Sequence, residues 1–281
     1  MKTGIEYGQV AWNPVTGCTK ISEACQNCWA ERMSKRLAGR CGYDKDEPFK
    51  VTLHPDRLDQ PLKWKKPRTV LVSFMGDLFH EDVPTTFIDQ VLEIIASCPQ
   101  HTFLALTKRP ENLEHKIYGT TTDNPFRQLG GGDYLANLWL GVTAENQARA
   151  DERIPVLLQI PAAVRFVSIE PMLGPVDLSK YLTCQFYAGE EMEWRKGTIV
   201  PEGYPKLRAA RIRSRIDWVI CGGQTGPGAR PMHPDWVRSL RDQCITADVP
   251  FFLKQMEING RTVKMPELDG KIWAQFPEVR A

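Results

Sequence analysis

The sequence predicts an α/β fold: a single (β/α) barrel over residues 1–281, complete or nearly complete, with an insertion before a late strand. Three observations predict it. Short β-prone runs alternate with helical stretches, as parallel strands with crossover helices require. Several of the runs are apolar almost throughout, as in Thr69-Val70-Leu71-Val72-Ser73-Phe74, which marks strands covered on both faces. A chain of 281 residues, 42% hydrophobic and 25% charged, can bury one core of that size. An open doubly wound sheet is the second architecture that the same alternation allows.

Eight strands are expected. The first covers Tyr7–Trp12 and is broken by the turn chemistry of Asn13-Pro14-Val15-Thr16-Gly17. A cysteine-rich loop follows within residues 13–31, then a helix from Cys28 to Leu37 with Gly39 as its stop. Phe49–His54 alternates apolar and polar residues and reads as a second strand, ended by Pro55 and followed by a short helix over Asp56–Trp64. Then come strands at Thr69–Phe74, Thr102–Leu106, Leu138–Val142, Val164–Ile169, Asp217–Cys221 and Pro250–Leu253. Between them lie helices at Thr85–Ala96, from about Glu111, at Gln147–Leu158 and at Pro234–Cys244, with a glycine-rich loop at Gly130-Gly131-Gly132. Residues 182–215 break the rhythm. They read as a surface insertion, and Lys206, Arg208, Arg211, Arg213 and Arg215 make it the most basic segment. That basic run is either a solvated face or a contact for a phosphate-bearing substrate. The tail Asp269–Pro277 is expected to cross the barrel end.

Net charge is +2, from 36 basic and 34 acidic residues, so nucleic-acid binding would need a local patch rather than a global field. No apolar run approaches the roughly 20 residues of a membrane span. The start, Met1–Glu6, has no signal-peptide core, and a cytoplasmic location is expected.

Cysteines carry the strongest local signal. Cys18, Cys25 and Cys28 follow the spacing C-x6-C-x2-C, and thiols this dense in a reducing compartment point to a metal or cluster. Three ligands leave an open position, whereas structural zinc sites close with four. The alternatives are a zinc knot completed by a fourth ligand such as Cys41, or unliganded thiols. Cys41, Cys98, Cys184, Cys221 and Cys244 read as small buried hydrophobes. None of the five histidines reads as a metal ligand.

In parallel α/β folds the site lies at the C-terminal ends of the strands. Polar residues stand at nearly every such end here: Asn13, His54, Asp77, Lys108-Arg109, Glu145-Asn146, Glu170, Gln224 and Lys254-Gln255. The cysteine loop shares that rim. Glu170 ends an apolar strand, where an unpaired carboxylate is costly. Gly222-Gly223 and Gly76 either make tight turns or admit a ligand close to the backbone. Phosphate-loop, dinucleotide and nucleophile-elbow motifs are absent from the sequence.

Several runs then act together. Trp12-Asn13-Pro14, Gly17-Cys18, Cys25 and Cys28-Trp29-Ala30-Glu31 combine with Asp77-Leu78-Phe79-His80, Leu106-Thr107-Lys108-Arg109-Pro110 and Ser168–Pro175. Gly222–Gly226, Arg230-Pro231-Met232 and Phe252-Leu253-Lys254-Gln255 complete the set. Together they resemble a family of phage and bacterial three-cysteine proteins of unknown function, related to radical S-adenosylmethionine (SAM) enzymes. The resemblance implies a TIM-type radical SAM barrel and a 4Fe–4S cluster on Cys18, Cys25 and Cys28. It also implies SAM at the open iron, cleaved reductively to a 5′-deoxyadenosyl radical. Cofactor binding would involve Gly76, Asp77, Glu145, Asn146, Gly222, Gly223, Gln224 and Arg230, with Asp77 on the SAM amino group. Lys108, Arg109, Glu170 and Lys254 would serve catalysis or hold substrate. An electron donor of the flavodoxin or ferredoxin type, a nucleic-acid or nucleotide substrate and a protein partner encoded nearby complete the implied picture, with no membrane. Two features differ from the commonest radical SAM pattern: the first gap is six residues rather than three, and the aromatic Trp29 follows Cys28 rather than preceding it. The competing class is a non-catalytic zinc or Fe–S module that binds nucleic acid or protein.

Overall fold

The computed structural model describes residues 2–118, 134–183, 185–186 and 213–278. Its centre is a nine-stranded sheet whose spatial order is the chain order. The strands are β1 (Lys2–Ile5), β2 (Gly8–Trp12), β3 (Thr69–Val72), β4 (Thr102–Thr107), β5 (Leu138–Thr143), β6 (Val164–Ile169), β7 (Trp218–Gly222), β8 (Phe251–Ile258) and β9 (Arg261–Lys264). β2 through β8 pair in parallel, while β1 and β9 run antiparallel at the two edges. The sheet curls into a half-barrel that does not close, since β1 and β9 are both free edges of the ladder. Lys264 of β9 reaches over the seam, donating to the Gly4 carbonyl and pairing with Glu6 at 2.8 Å.

Side-chain alternation explains the curl. Successive strand residues point to opposite faces, so β3 sends Leu71 inward while Val70 and Val72 meet the helices. Leu71 stands opposite Leu104, Leu104 opposite Trp139, and Phe166 opposite Trp218. With Tyr7, Val164, Ile220 and Phe252 these residues form a dry plug inside the sheet. Trp218 is its hub. Its ring meets Tyr7 and Trp139 edge-on at 5.9 Å each, and its indole N–H donates to the Gln275 carbonyl at 2.9 Å. Burying a large apolar side chain contributes about 1.5–3 kcal/mol, so the plug is a principal source of stability. The tail closes it from below, with Phe276 against Trp218 at 5.1 Å and Phe252 at 5.4 Å.

The outer layer holds helices α1 (Trp29–Leu37), α2 (Thr85–Ala96), α3 (Leu113–Tyr118), α4 (Gln147–Leu157), α5 (Ser179–Leu182) and α6 (Pro234–Thr246). In α2, Phe87, Ile88, Val91, Leu92 and Ile95 are buried at helical spacing. No helix among the described residues is long and apolar enough to cross a membrane.

Four expectations need correction. The complete or nearly complete barrel is an open half-barrel, because the sheet ends in antiparallel edge strands, β1 and β9, that do not pair with each other. Phe49–His54 adds no strand to the sheet; only Thr52–Leu53 pairs, with Val15–Thr16, because the cysteine loop folds back over this segment. Asp56–Trp64 forms two short 3-10 turns, Pro55–Arg57 and Pro61–Lys63, each started by proline at its first position. Cys41 is exposed, with φ at 52°, whereas Cys98, Cys221 and Cys244 are buried and free. The glycine-rich loop at 130–132, Cys184 and nearly all of the basic insertion lie outside the described residues.

Candidate functional site at the open end of the half-barrel

The cysteine loop leaves β2 and spans the mouth of the half-barrel. Two glycines anchor its start. Gly17 forms an isolated parallel bridge with Gly76, and its N–H donates to the Met75 carbonyl at 2.9 Å. A Cβ on Gly76 would lie 2.6 Å from the Gly17 oxygen, so only glycine allows the approach. The Cys18 N–H donates to the Phe49 carbonyl at 3.1 Å. The far half of the loop is fastened elsewhere. Ala24 N–H donates to Glu145 Oε1 at 3.4 Å, Arg230 Nη2 donates to the Glu23 carbonyl at 2.9 Å, and Asn27 Nδ2 donates to the Gly228 carbonyl at 2.8 Å. Cys28 caps α1.

Beneath the loop lies a cavity of about 1320 Å³. Cys18, Cys25 and Cys28 all line it, as do Gly76, Asp77, Lys108, Arg109, Glu170, Gly223, Gln224 and Lys254. Among the described residues, no three His, Cys, Asp or Glu side chains are grouped closely enough to hold one metal ion.

The thiols differ electrostatically. Burial and then the nearby Asp77 carboxylate push Cys18 up to about 11, against the opposing pull of Arg109, whose Nη1 donates to its sulfur at 3.3 Å. Burial also raises Cys25, but the Lys108 charge, backbone N–H groups of the loop and the Ser22 hydroxyl at 3.6 Å outweigh it and leave that thiol below its ordinary range.

Asp77 is 4% exposed and its carboxylate is engaged within the protein. It accepts from Thr107 Oγ1 at 2.8 Å, Phe79 N–H at 3.0 Å, Lys108 N–H at 3.3 Å and Arg109 Nη1 at 3.5 Å. Across the cavity, Glu170 Oε1 accepts from Lys254 Nζ and from Gln255 Nε2 at 3.2 Å. Lys254 also stands 5.9 Å from the Tyr7 ring centroid. Burial, then Glu170 and Glu6, raise the Tyr7 phenol well above its usual range.

Four of the expected site residues do not line the cavity. Glu145 is fully buried past the end of β5, in the turn before α4, where strand alternation no longer sets its direction; its carboxylate is held by Arg153 at 3.0 Å and by the Ala24 N–H at 3.4 Å. Asn146 caps α4 by accepting from Arg149 N–H at 3.0 Å. Arg230 donates from its Nε to Gln224 Oε1 at 3.1 Å and ties that loop to Glu23. Gly222 sits in β7, where an added Cβ would come 3.3 Å from Glu170. Its role is space for that side chain.

The rim pattern omits several lining residues. Ser73 follows β3 with φ at 49°, is 2% exposed, and its hydroxyl has no hydrogen-bond partner. Gln224, which the rim pattern does include, also has its Nε2 buried and unpartnered. Tyr43, Phe49 and Met75 make the wall near Cys28 apolar. The alternation of β3 could have flagged Ser73, but its left-handed backbone leaves no mark in the sequence.

Similarities to known proteins are partial. A structure of spore photoproduct lyase complexed with dinucleoside spore photoproduct is 11% identical, with TM-score 0.49, over 88% of this chain and 75% of that one. A mutant of spore photoproduct lyase with bound AdoMet and dinucleoside spore photoproduct is 14% identical, with TM-score 0.41, over 61% and 47%. A cysteine-to-serine mutant is 12% identical, with TM-score 0.42, over 61% and 48%, so the chain spans about half the length of that protein. No curated protein matches the sequence. One family model does match, over residues 2–277, and the chain belongs to that family, described as a protein of unknown function (DUF5131).

Proposed function

We propose that this protein is an iron–sulfur enzyme of the radical SAM-like kind, a relative of the phage and bacterial three-cysteine proteins. One observation carries the reading: three cysteines of a single loop line one large cavity at the open end of a curled parallel sheet. Three thiols on one loop suit a cluster that keeps one iron open, whereas a structural zinc closes with four ligands. In a cubane each cysteine binds a different iron, so the sulfurs need not crowd one point. Four thiolates around zinc, at about 2.3 Å each, must do so. Cys18, Cys25 and Cys28 would hold the cluster, leaving one iron for SAM. When bound, this pair supplies reductive cleavage of SAM and hydrogen abstraction from a substrate.

The chain's own groups do the rest. The plug below and the apolar wall of Tyr43, Phe49 and Met75 exclude water. Asp77, engaged by four donors, orders the loops rather than offering a free carboxylate. Ligand contacts then fall to groups with open valence: the Ser73 hydroxyl, Gln224 Nε2 and Lys108, whose ammonium forms no hydrogen bond or ion pair among the described residues. The Lys254–Glu170 pair can hold a proton at the cavity wall. The basic run from Lys206 to Arg215 supports a phosphate-bearing substrate such as a nucleotide or nucleic acid.

Purification and reconstitution without oxygen test the reading. A brown protein with about four irons per chain is expected, as for a [4Fe–4S] centre. Replacing Cys18, Cys25 and Cys28 together by alanine should abolish iron uptake. Dithionite and SAM should then yield 5′-deoxyadenosine from the loaded protein. Stoichiometric zinc with no iron would instead establish the non-catalytic metal-binding module.

A further inference from the structure

Arg109 stands at the end of β4 in a position suited to touching a ligand, yet its guanidinium is engaged inside the protein. It is 3% exposed. Its Nε donates to Glu81 Oε2 at 2.7 Å, and its Nη2 donates to Thr19 Oγ1 at 2.6 Å and to the Thr19 carbonyl at 3.2 Å. Its Nη1 meets Asp77 Oδ2 at 3.5 Å and Cys18 Sγ at 3.3 Å. Thr19 is braced a second time. His80 is fully buried, and its Nδ1 accepts from Asp82 N–H at 3.1 Å. Its Nε2 therefore carries the proton and donates to Thr19 Oγ1 at 2.9 Å. The guanidinium is locked on every side, and one arm points at a cysteine sulfur.

Among the described residues, neither of the other two sulfurs accepts from a cation, although the Lys108 charge also acts on Cys25. Cys25 Sγ faces the neutral Ser22 hydroxyl at 3.6 Å, and among the described residues Cys28 Sγ makes no hydrogen bond. The three candidate ligands are therefore unequal.

Resting on the cluster reading above, we propose that Arg109 is a positioning residue that acts through Cys18 to raise the reduction potential of the bound cluster. Reduction adds negative charge to the irons and sulfurs. A fixed cation donating to a ligand sulfur stabilises the reduced form more than the oxidised one, and burial strengthens the effect. Lysine at this position would keep the charge but lose the rigid fork that serves Cys18, Thr19 and Glu81 together.

Redox titration of the reconstituted cluster, read by paramagnetic resonance, tests this in wild type, Arg109→Lys and Arg109→Gln. In Arg109→Gln the reduced form should be at least tenfold less favoured, a potential about 59 mV more negative for a one-electron couple. Arg109→Lys should fall between the two. A merely structural role would change iron loading or stability and leave the potential of the loaded fraction unmoved, so equal potentials in all three proteins overturn the proposal. If Arg109→Gln takes up no iron, wild type against Arg109→Lys decides by the same criterion. A wild type that takes up no iron overturns the cluster reading and this inference with it, a result distinct from a loaded cluster whose potential does not move.

Discussion

The two ends of the half-barrel are made from the same strands and follow opposite rules. At the lower end Leu71, Leu104, Trp139, Phe166, Trp218 and Phe252 point inward and pack without polar interruption, apart from ring edges such as the Trp218 N–H, which finds a carbonyl. A few residues later along those strands the inward positions become Ser73, Thr107, Thr143, Ser168 and Lys254, and the packing gives way to a chamber. The lesson is a division of labour along each strand. Stability is concentrated where side chains interlock, and chemistry is possible where they stop short of filling the space.

Breaking the lower end should have the largest effect. Trp218→Ala removes the hub of the plug, and a loss of about 3–5 kcal/mol is expected from urea unfolding. The upper end should respond to pH instead. Burial, then the neighbouring Arg57 charge, hold His54 at about 4 in the folded protein, against 6.5 for a free imidazole. Its contribution is complete above pH 6.5. As pH falls towards 4 the unfolded chain takes a proton that the native imidazole refuses, so stability declines, on the order of 1–2 kcal/mol for this group, and levels off below that. Urea midpoints at pH 7 and pH 4.5 should lie closer together in His54→Gln than in wild type. The smallest effect belongs to the seam. Lys264→Ala removes a solvent-facing ion pair with Glu6 and should cost less than about 1 kcal/mol, fading in high salt. A larger loss would mean that the edges of the sheet depend on this one side chain.

The same contrast explains what could be read from the sequence. Most of the parallel strands were legible because burial on both faces writes continuous apolar runs, as at Leu138-Trp139-Leu140, whereas β2 alternates buried and more exposed positions. β1 and β9 were not, because an edge strand can stay polar. Arg261-Thr262-Val263-Lys264 is exposed throughout. Strand ends correctly indicated where polar groups gather, but not which way each turns. Glu145 shows the limit: it stands past the end of β5, where alternation no longer applies, and it is held by Arg153 and the Ala24 N–H rather than facing the chamber. The cysteine spacing located the loop. It could not show that Lys108 and Arg109, eighty residues or more along the chain, would act on Cys25 and Cys18.

The contact between Gly17 and Gly76 has a consequence for how the loop can vary. Cys18 is placed by its neighbours' backbones, through the Met75 and Phe49 carbonyls, and not by its distance along the chain from Cys25. Cys25 and Cys28 are placed from the other side, by Ala24, Asn27 and the start of α1. The stretch between, around Lys20 and Ile21, joins two separately docked halves, and along it Lys20 makes an ion pair to Glu31 of α1 at 2.9 Å. The number of residues between the first two sulfurs is then a property of a tether, and its length can differ between related proteins while all three sulfurs keep their places.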